Sequence, residues 1–152
     1  METYRLYTDG ACFGNPGPGG WCAVFLSKKT NKRLYGFTPS TTNNRMELSA
    51  VIEGLRAFKK SSRISIYTDS KYVKDAFTQN WIASWQKNNW KTSSRKDVKN
   101  KDLWECLIEL TKKHDVSWHW VKGHSGNEFN DMCDEYAKLA IHDKIDTISE
   151  YF

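Results

Sequence analysis

Asn44-Arg45-Met46-Glu47-Leu48-Ser49-Ala50-Val51-Ile52-Glu53-Gly54-Leu55-Arg56-Ala57-Phe58-Lys59-Lys60 is the stretch whose reading decides the fold. Val51, Leu55 and Phe58 recur at steps of four and three residues, which lines them up as the buried face of a helix. One turn before Val51 stands Glu47. A carboxylate in line with a buried stripe either faces a site or needs a partner to offset its desolvation.

On both sides of this helix the pattern changes to that of strands. Upstream, Tyr4 to Cys12 reads as a first strand and Asn15-Pro16-Gly17-Pro18-Gly19-Gly20 as a dense turn. Trp21 to Leu26 and Leu34 to Thr38, joined by the polar turn Lys28 to Lys32, complete an antiparallel meander. Downstream, Ile64 to Tyr67 alternates and ends in Thr68-Asp69-Ser70, followed by short helices over Lys71 to Thr78 and Trp81 to Lys87. A polar loop from Thr92 to Lys101 precedes a helix over Asp102 to Lys112, marked by Leu103, Leu107 and Leu110. A last strand, Val116 to Val121, leads through the turn Gly123 to Asn127 into a helix over Asn130 to His142, and the tail after Asp143 reads as loosely held.

This order predicts an α/β fold in a single domain, residues 1–152: a five-stranded mixed sheet, an antiparallel meander plus parallel strands, flanked by helices. Ligands of such sheets gather at the carboxyl ends of the parallel strands. Asp9 and Asp69 are expected at those ends, and if their strands are neighbours, spaced about 4.8 Å apart, the two carboxylates can share a divalent ion. Glu47 on the crossover helix and Asp134 in the first turns of the last helix are placed to join them. Clustered carboxylates repel and call for cations, and an oxygen-only ligand set favours magnesium or manganese over zinc. Two such ions about 4 Å apart suit phosphodiester hydrolysis. Taken singly, each acid also has an ordinary reading as a cap or a solvated charge, so the joint placement carries the inference.

Composition narrows the partners. Hydrophobic residues make up 39% of the chain and aromatics 14%, enough for an ordered core. No apolar run approaches the roughly 20 residues that cross a bilayer. The N-terminus lacks a signal-peptide pattern, so the expected address is the cytoplasm and no membrane partner is expected. Cys12, Cys22, Cys106 and Cys133 form no C-x-x-C pair and are expected as free thiols. The formal net charge of +5 is local: six basic residues and one acid lie between Trp81 and Lys101, while the remainder carries 17 of each sign. A basic, tryptophan-bearing segment on a neutral body implies a polyanion partner.

Five words then stand in order: Tyr7-Thr8-Asp9-Gly10-Ala11-Cys12, Gly14-Asn15-Pro16-Gly17-Pro18-Gly19-Gly20, Thr42-Asn43-Asn44-Arg45-Met46-Glu47-Leu48, Thr68-Asp69-Ser70 and Trp120-Val121-Lys122-Gly123-His124-Ser125-Gly126. They closely resemble the motifs of type 1 ribonuclease H, over about Tyr4 to Leu139. The resemblance implies an endonuclease that cuts the RNA strand of RNA/DNA hybrids, leaving 5′-phosphate and 3′-hydroxyl ends, as a monomer using two Mg2+ ions or Mn2+ in their place. It implies that Asp9, Glu47, Asp69 and Asp134 hold the metals and that His124 assists product departure or proton movement. Substrate contacts carried over are the backbone from Cys12 through Gly14 to Asn15, the amides of Asn43 and Asn44, and Thr42 with Asn15 near a DNA-strand phosphate. The segment Trp81 to Lys101 resembles the basic protrusion of cellular members, which puts Trp81, Trp85, Lys87, Trp90, Lys91, Lys96 and Lys99 against the DNA strand. Asn80 reads as an insertion, and Gln86 and Asn88 stand where relatives carry basic residues. Two other readings remain at this point: a silent hybrid-binding module, and a nuclease of this fold acting on DNA.

Overall fold

The computed structural model describes residues 1–152. Its elements run β1 (Thr3–Cys12), β2 (Gly17–Leu26), β3 (Asn31–Thr41), α1 (Asn43–Arg56), β4 (Arg63–Thr68), α2 (Lys71–Thr78), α3 (Trp81–Lys87), α4 (Lys101–Thr111), β5 (Asp115–Trp120), α5 (Glu128–His142) and β6 (Ile148–Tyr151). They build one mixed sheet in the order β5-β4-β1-β2-β3-β6. β1 pairs antiparallel with β2 and parallel with β4, and β5 continues the parallel side. The central strand β1 is buried on both faces from Leu6 to Ala11, as expected where helices cover a parallel pair.

Alternation along the strands feeds two cores. Leu6, Ile64 and Ile66 point to one face, where Leu48, Val51 and Leu55 of α1 meet Trp104 and Leu107 of α4. Tyr7, Cys22 and Val24 point to the other, against Cys133, Ala137, Ala140 and Ile141 of α5. The period-of-two and period-of-3.6 readings therefore describe two sides of one structure.

The sequence reading is corrected at the end of the chain. The sheet has six strands rather than five, because the tail expected to be loose forms β6 on the open edge of β3. Arg33 supplies the reason. Its guanidinium pairs with Glu150 at 2.6 Å and lies 4.0 Å and 5.0 Å from the ring centres of Tyr136 and Phe152. Tyr35 Oη donates a 2.8 Å hydrogen bond to the same Glu150 carboxylate, and the Phe152 amide donates to Asn31 O. These partners lie more than 100 residues apart, so no local pattern announces them. β3 is longer than the expected Leu34 to Thr38, since Asn31 to Arg33 pair with β2, Lys32 and Arg33 also with β6, and its far end reaches Thr41 opposite Gly17. Removing Ile148–Phe152 is expected to lower the melting temperature by roughly 2–8 °C, the equivalent of about 1–2 kcal/mol in a domain of this size. An unchanged melting curve would show that the strand adds nothing to stability.

Candidate active site

Asp9 lies near the carboxyl end of β1, and Asp69 directly follows the last residue of β4. The parallel register that pairs Thr8 with Thr68 sets these acids side by side. Glu47 enters from α1, whose start is fixed by Thr42: its hydroxyl accepts from the Arg45 amide at 3.2 Å. The Gly10 amide donates to Asp9 Oδ1 at 2.9 Å and to Glu47 Oε1 at 2.6 Å, tying strand and helix together. A Cβ on Gly10 would stand 2.4 Å from the Glu47 backbone nitrogen, so only glycine lets α1 come this close.

Carboxylate oxygens of Asp9, Glu47 and Asp69 lie within 4.8 Å of one another. Burial opposes their ionisation, and their charges oppose it further. Burial first, with the charges of Asp69 and Asp134 behind it, pushes the Asp9 carboxyl up to about 7. Glu47, wholly buried and beside Asp9, is raised well above the usual carboxylate range. Desolvation also raises Asp69, while hydrogen bonding from Asp9, the Asn130 side chain and the charge of His124 pull it back. Glu47 Oε2 is buried and has no hydrogen-bond partner. An unpartnered buried oxygen in a three-carboxylate cluster fits a divalent cation, which Asp9, Glu47 and Asp69 could hold.

Asp134, expected to complete the cluster, occupies the second turn of α5 and bonds Lys138 Nζ at 3.1 Å. It lies outside the group of three but near enough for its charge to raise both Asp9 and Asp69. The i,i+4 lysine compensates its charge. His124 is exposed in the loop after β5 at φ 55°, a left-handed backbone beside glycine. The same loop presses on Asp69, since a Cβ on Gly123 would meet Asp69 Oδ2 at 2.9 Å.

The remaining residues flank this centre. Asn15 Oδ1 accepts from the Asn43 amide at 2.9 Å, which brings the Cys12–Gly14–Asn15 turn to the start of α1. Asn43 and Asn44 are the first residues of α1, after the Thr42 cap, and their side chains are exposed. Trp81, Trp85 and Trp90 are half-buried against the main core, with Trp85 5.3 Å from Trp104, so the tryptophans anchor the basic segment as well as flank it. Lys87, Lys96 and Lys99 are exposed without acidic partners, whereas Lys91 pairs with Asp97. Sequence reasoning missed Asn130 as a site residue. It is buried at 2% exposure beside Asp69, and its only sequence signal is a polar side chain at the head of the apolar face of α5.

A family model described as RNase H matches residues 1–142. The chain is 55% identical over 141 residues to a protein named ribonuclease H from Caldicellulosiruptor saccharolyticus, covering 93% of this chain and 97% of that one. It is 54% identical over 137 residues to a ribonuclease H of Thermoanaerobacter pseudethanolicus, covering 90% and 88%. Among solved structures, LC9-RNase H1, described as a type 1 RNase H with the type 2 active-site motif, superposes with a TM-score of 0.86 at 28% identity over 99% of this chain and 78% of that one. LC11-RNase H1, solved with an RNA/DNA hybrid, has a TM-score of 0.70 at 20% identity over 93% and 98%, a likeness of fold.

Raised carboxyl pKa values have a definite sign in stability. Between about pH 4 and pH 7 the metal-free folded state binds more protons than the unfolded chain, so its stability falls as pH rises through that window. Asp9→Asn is expected to stabilise the metal-free protein at pH 8 by about 1–4 kcal/mol and to lose that advantage near pH 4. Urea melts at the two pH values measure the difference; an advantage independent of pH would contradict the cluster's electrostatics.

Proposed function

The chain belongs to the ribonuclease H family, in its type 1 branch, and on that premise we infer that it hydrolyses the RNA strand of RNA/DNA hybrids endonucleolytically. The observation that carries this reading is the triad of buried Asp9 and Glu47 with half-buried Asp69, set beside a turn and a helix start suited to a minor groove. Its relatives bear the name ribonuclease H, and the LC11 neighbour was solved with a hybrid.

Asp9, Glu47 and Asp69 hold the cations, with Asp134 available to join once substrate phosphate enters. Two magnesium ions, or manganese in their place, would stabilise the charge developing on the phosphoryl oxygens and on the leaving 3′-oxygen when bound. The protein's own groups do the rest. The Asn43 and Asn44 side chains and the backbone of Cys12 and Gly14 face the shallow minor groove, where the 2′-hydroxyl marks RNA. Thr42 and Asn15 flank a DNA-strand phosphate. His124, on an exposed loop against Asp69, takes up or delivers a proton at the departing group, leaving 5′-phosphate and 3′-hydroxyl ends. Trp81, Trp85 and Trp90 give the protrusion a rigid base, from which Lys87, Lys96 and Lys99 reach DNA phosphates, with Lys91 partly spent on Asp97. Magnesium as the working ion, a monomer acting alone, one catalytic domain over residues 1–152 and a cytoplasmic address belong to the same proposal. No helix is long and apolar enough to cross a membrane.

A silent hybrid binder is disfavoured because clustered acids facing phosphates weaken binding unless cations neutralise them. Incubation with magnesium and labelled RNA/DNA hybrid, RNA duplex and DNA duplex in parallel tests the reading: only the hybrid's RNA strand is expected to be cut. In the same assay Asp69→Asn is expected to abolish hydrolysis and retain hybrid binding, whereas His124→Ala slows turnover without stopping it. Near-normal activity of Asp69→Asn would remove that residue from the centre. Neutralising Lys87, Lys96 and Lys99 to glutamine is expected to flatten the dependence of log affinity on log salt by about two units. An unchanged slope would mean that the protrusion is no electrostatic handle.

A further inference from the structure

Trp120 is the last residue of β5 and is 42% exposed, an unusual position for a tryptophan on an edge strand. It is not loose. The register that pairs it with Thr68 sets it beside the end of β4, and its indole N–H donates to the backbone carbonyl of Asp69 at 3.1 Å. The ring is therefore fixed to the backbone of a cluster carboxylate. Over its face, 4.7 Å from the ring centre, stands Lys71 Nζ.

Lys71 is in an unfavourable place by local rules. It is the first residue of α2, where its charge meets the positive end of the helix dipole. Asp75 lies one turn on but pairs with Lys74 at 2.9 Å, and no carboxylate bonds Lys71. An exposed, uncompensated ammonium is thus held by cation–π attraction two residues from Asp69. The ordinary reading is a surface staple between α2 and β5, which leaves the choice of lysine at the wrong end of the helix unexplained.

Resting on the hybrid-cleaving reading above, we propose that Lys71, held over Trp120, binds a phosphate of the RNA strand next to the scissile one. The ring restricts the lysine to one side of the carboxylate cluster, so less side-chain freedom is lost when phosphate binds. This places a positive group on the β4–β5 side of the site, opposite the side where Asn15 meets α1. The hybrid is then held on both sides of the cluster, through a DNA-strand phosphate on the Asn15 side and an RNA-strand phosphate at Lys71.

The test is single-turnover cleavage of hybrids in which a neutral methylphosphonate replaces one RNA phosphate at a time around the cleavage point. Half-saturating enzyme concentration is compared for the wild type, Lys71→Gln and Trp120→Leu at several salt concentrations. On the natural hybrid, Lys71→Gln is expected to raise that concentration about three- to tenfold and to flatten its salt slope by about 0.7 to 0.9, the contribution of one phosphate. At one methylphosphonate position the wild type falls to the level of Lys71→Gln, and the substitution then has no additional effect. Trp120→Leu, which keeps the lysine and removes its support, loses affinity at that same position by a smaller factor. If Lys71→Gln weakens every methylphosphonate hybrid equally, or leaves the salt slope unchanged, the pair is only a staple and the inference is wrong. Failure of the wild type to cut any hybrid would instead overturn the functional reading on which it rests.

Discussion

The mutual repulsion of Asp9, Glu47 and Asp69, pressed together where β1 and β4 end, is the constraint around which the molecule is organised. Burial and like charge both act against the ionised forms, and the shared Gly10 amide offsets them only in part. The cluster persists because packing elsewhere fixes its backbone. The parallel register of β1 and β4 sets two of the acids, and α1, docked through Val51 and Leu55, brings the third down onto Gly10. Three elements, each stabilised by its own core contacts, converge on one point. A cation that relieves the repulsion then binds a site already formed, and little reorganisation is needed on binding.

The same arrangement explains how the charges divide. Three acids draw together at the end of the sheet while the unpaired lysines stand on the protrusion, carried by tryptophans that pack on Trp104. On the proposed function, phosphates would be attracted at a distance from the acids and meet them only where a cation can intervene. Trp85 packs on Trp104 and stays partly open to solvent, so its anchoring leaves surface for the contact proposed for it.

Most of the fold was legible because its signals are local. The helix pattern around Val51 and Leu55 and the alternation at Ile64 to Tyr67 each correspond to the element expected, within a few residues. Of the expected turn Asn15 to Gly20, only Asn15 and Pro16 lie outside β2, which starts at Gly17 rather than Trp21 because Gly19 and Gly20 pair with Cys12 and Ala11. What escaped was long-range. β6 depends on Arg33 finding Glu150 and Phe152, partners that sequence spacing cannot pair. At the site, the acids were legible because a strand end and a helical stripe placed them. Asn130 was not, since an amide inside a helix has no periodic signature and its meaning lies in facing Asp69 across the sheet's end. The pairing of Lys91 with Asp97 was hidden for a related reason: a charge count over the segment does not reveal which lysine folds back on the one acid.

The central claim is that the buried cluster is a divalent-cation site kept partly protonated in the metal-free protein. Calorimetric titration of magnesium into the protein at pH 6.5, repeated in buffers of different ionisation enthalpy, tests it directly through the protons released on binding. With Asp9 raised to about 7 and Glu47 raised well above its usual range, binding should expel about one proton or more per protein, and the release should shrink as pH is raised towards 8. Heats identical in every buffer, or no saturable binding in a folded protein, would contradict the account.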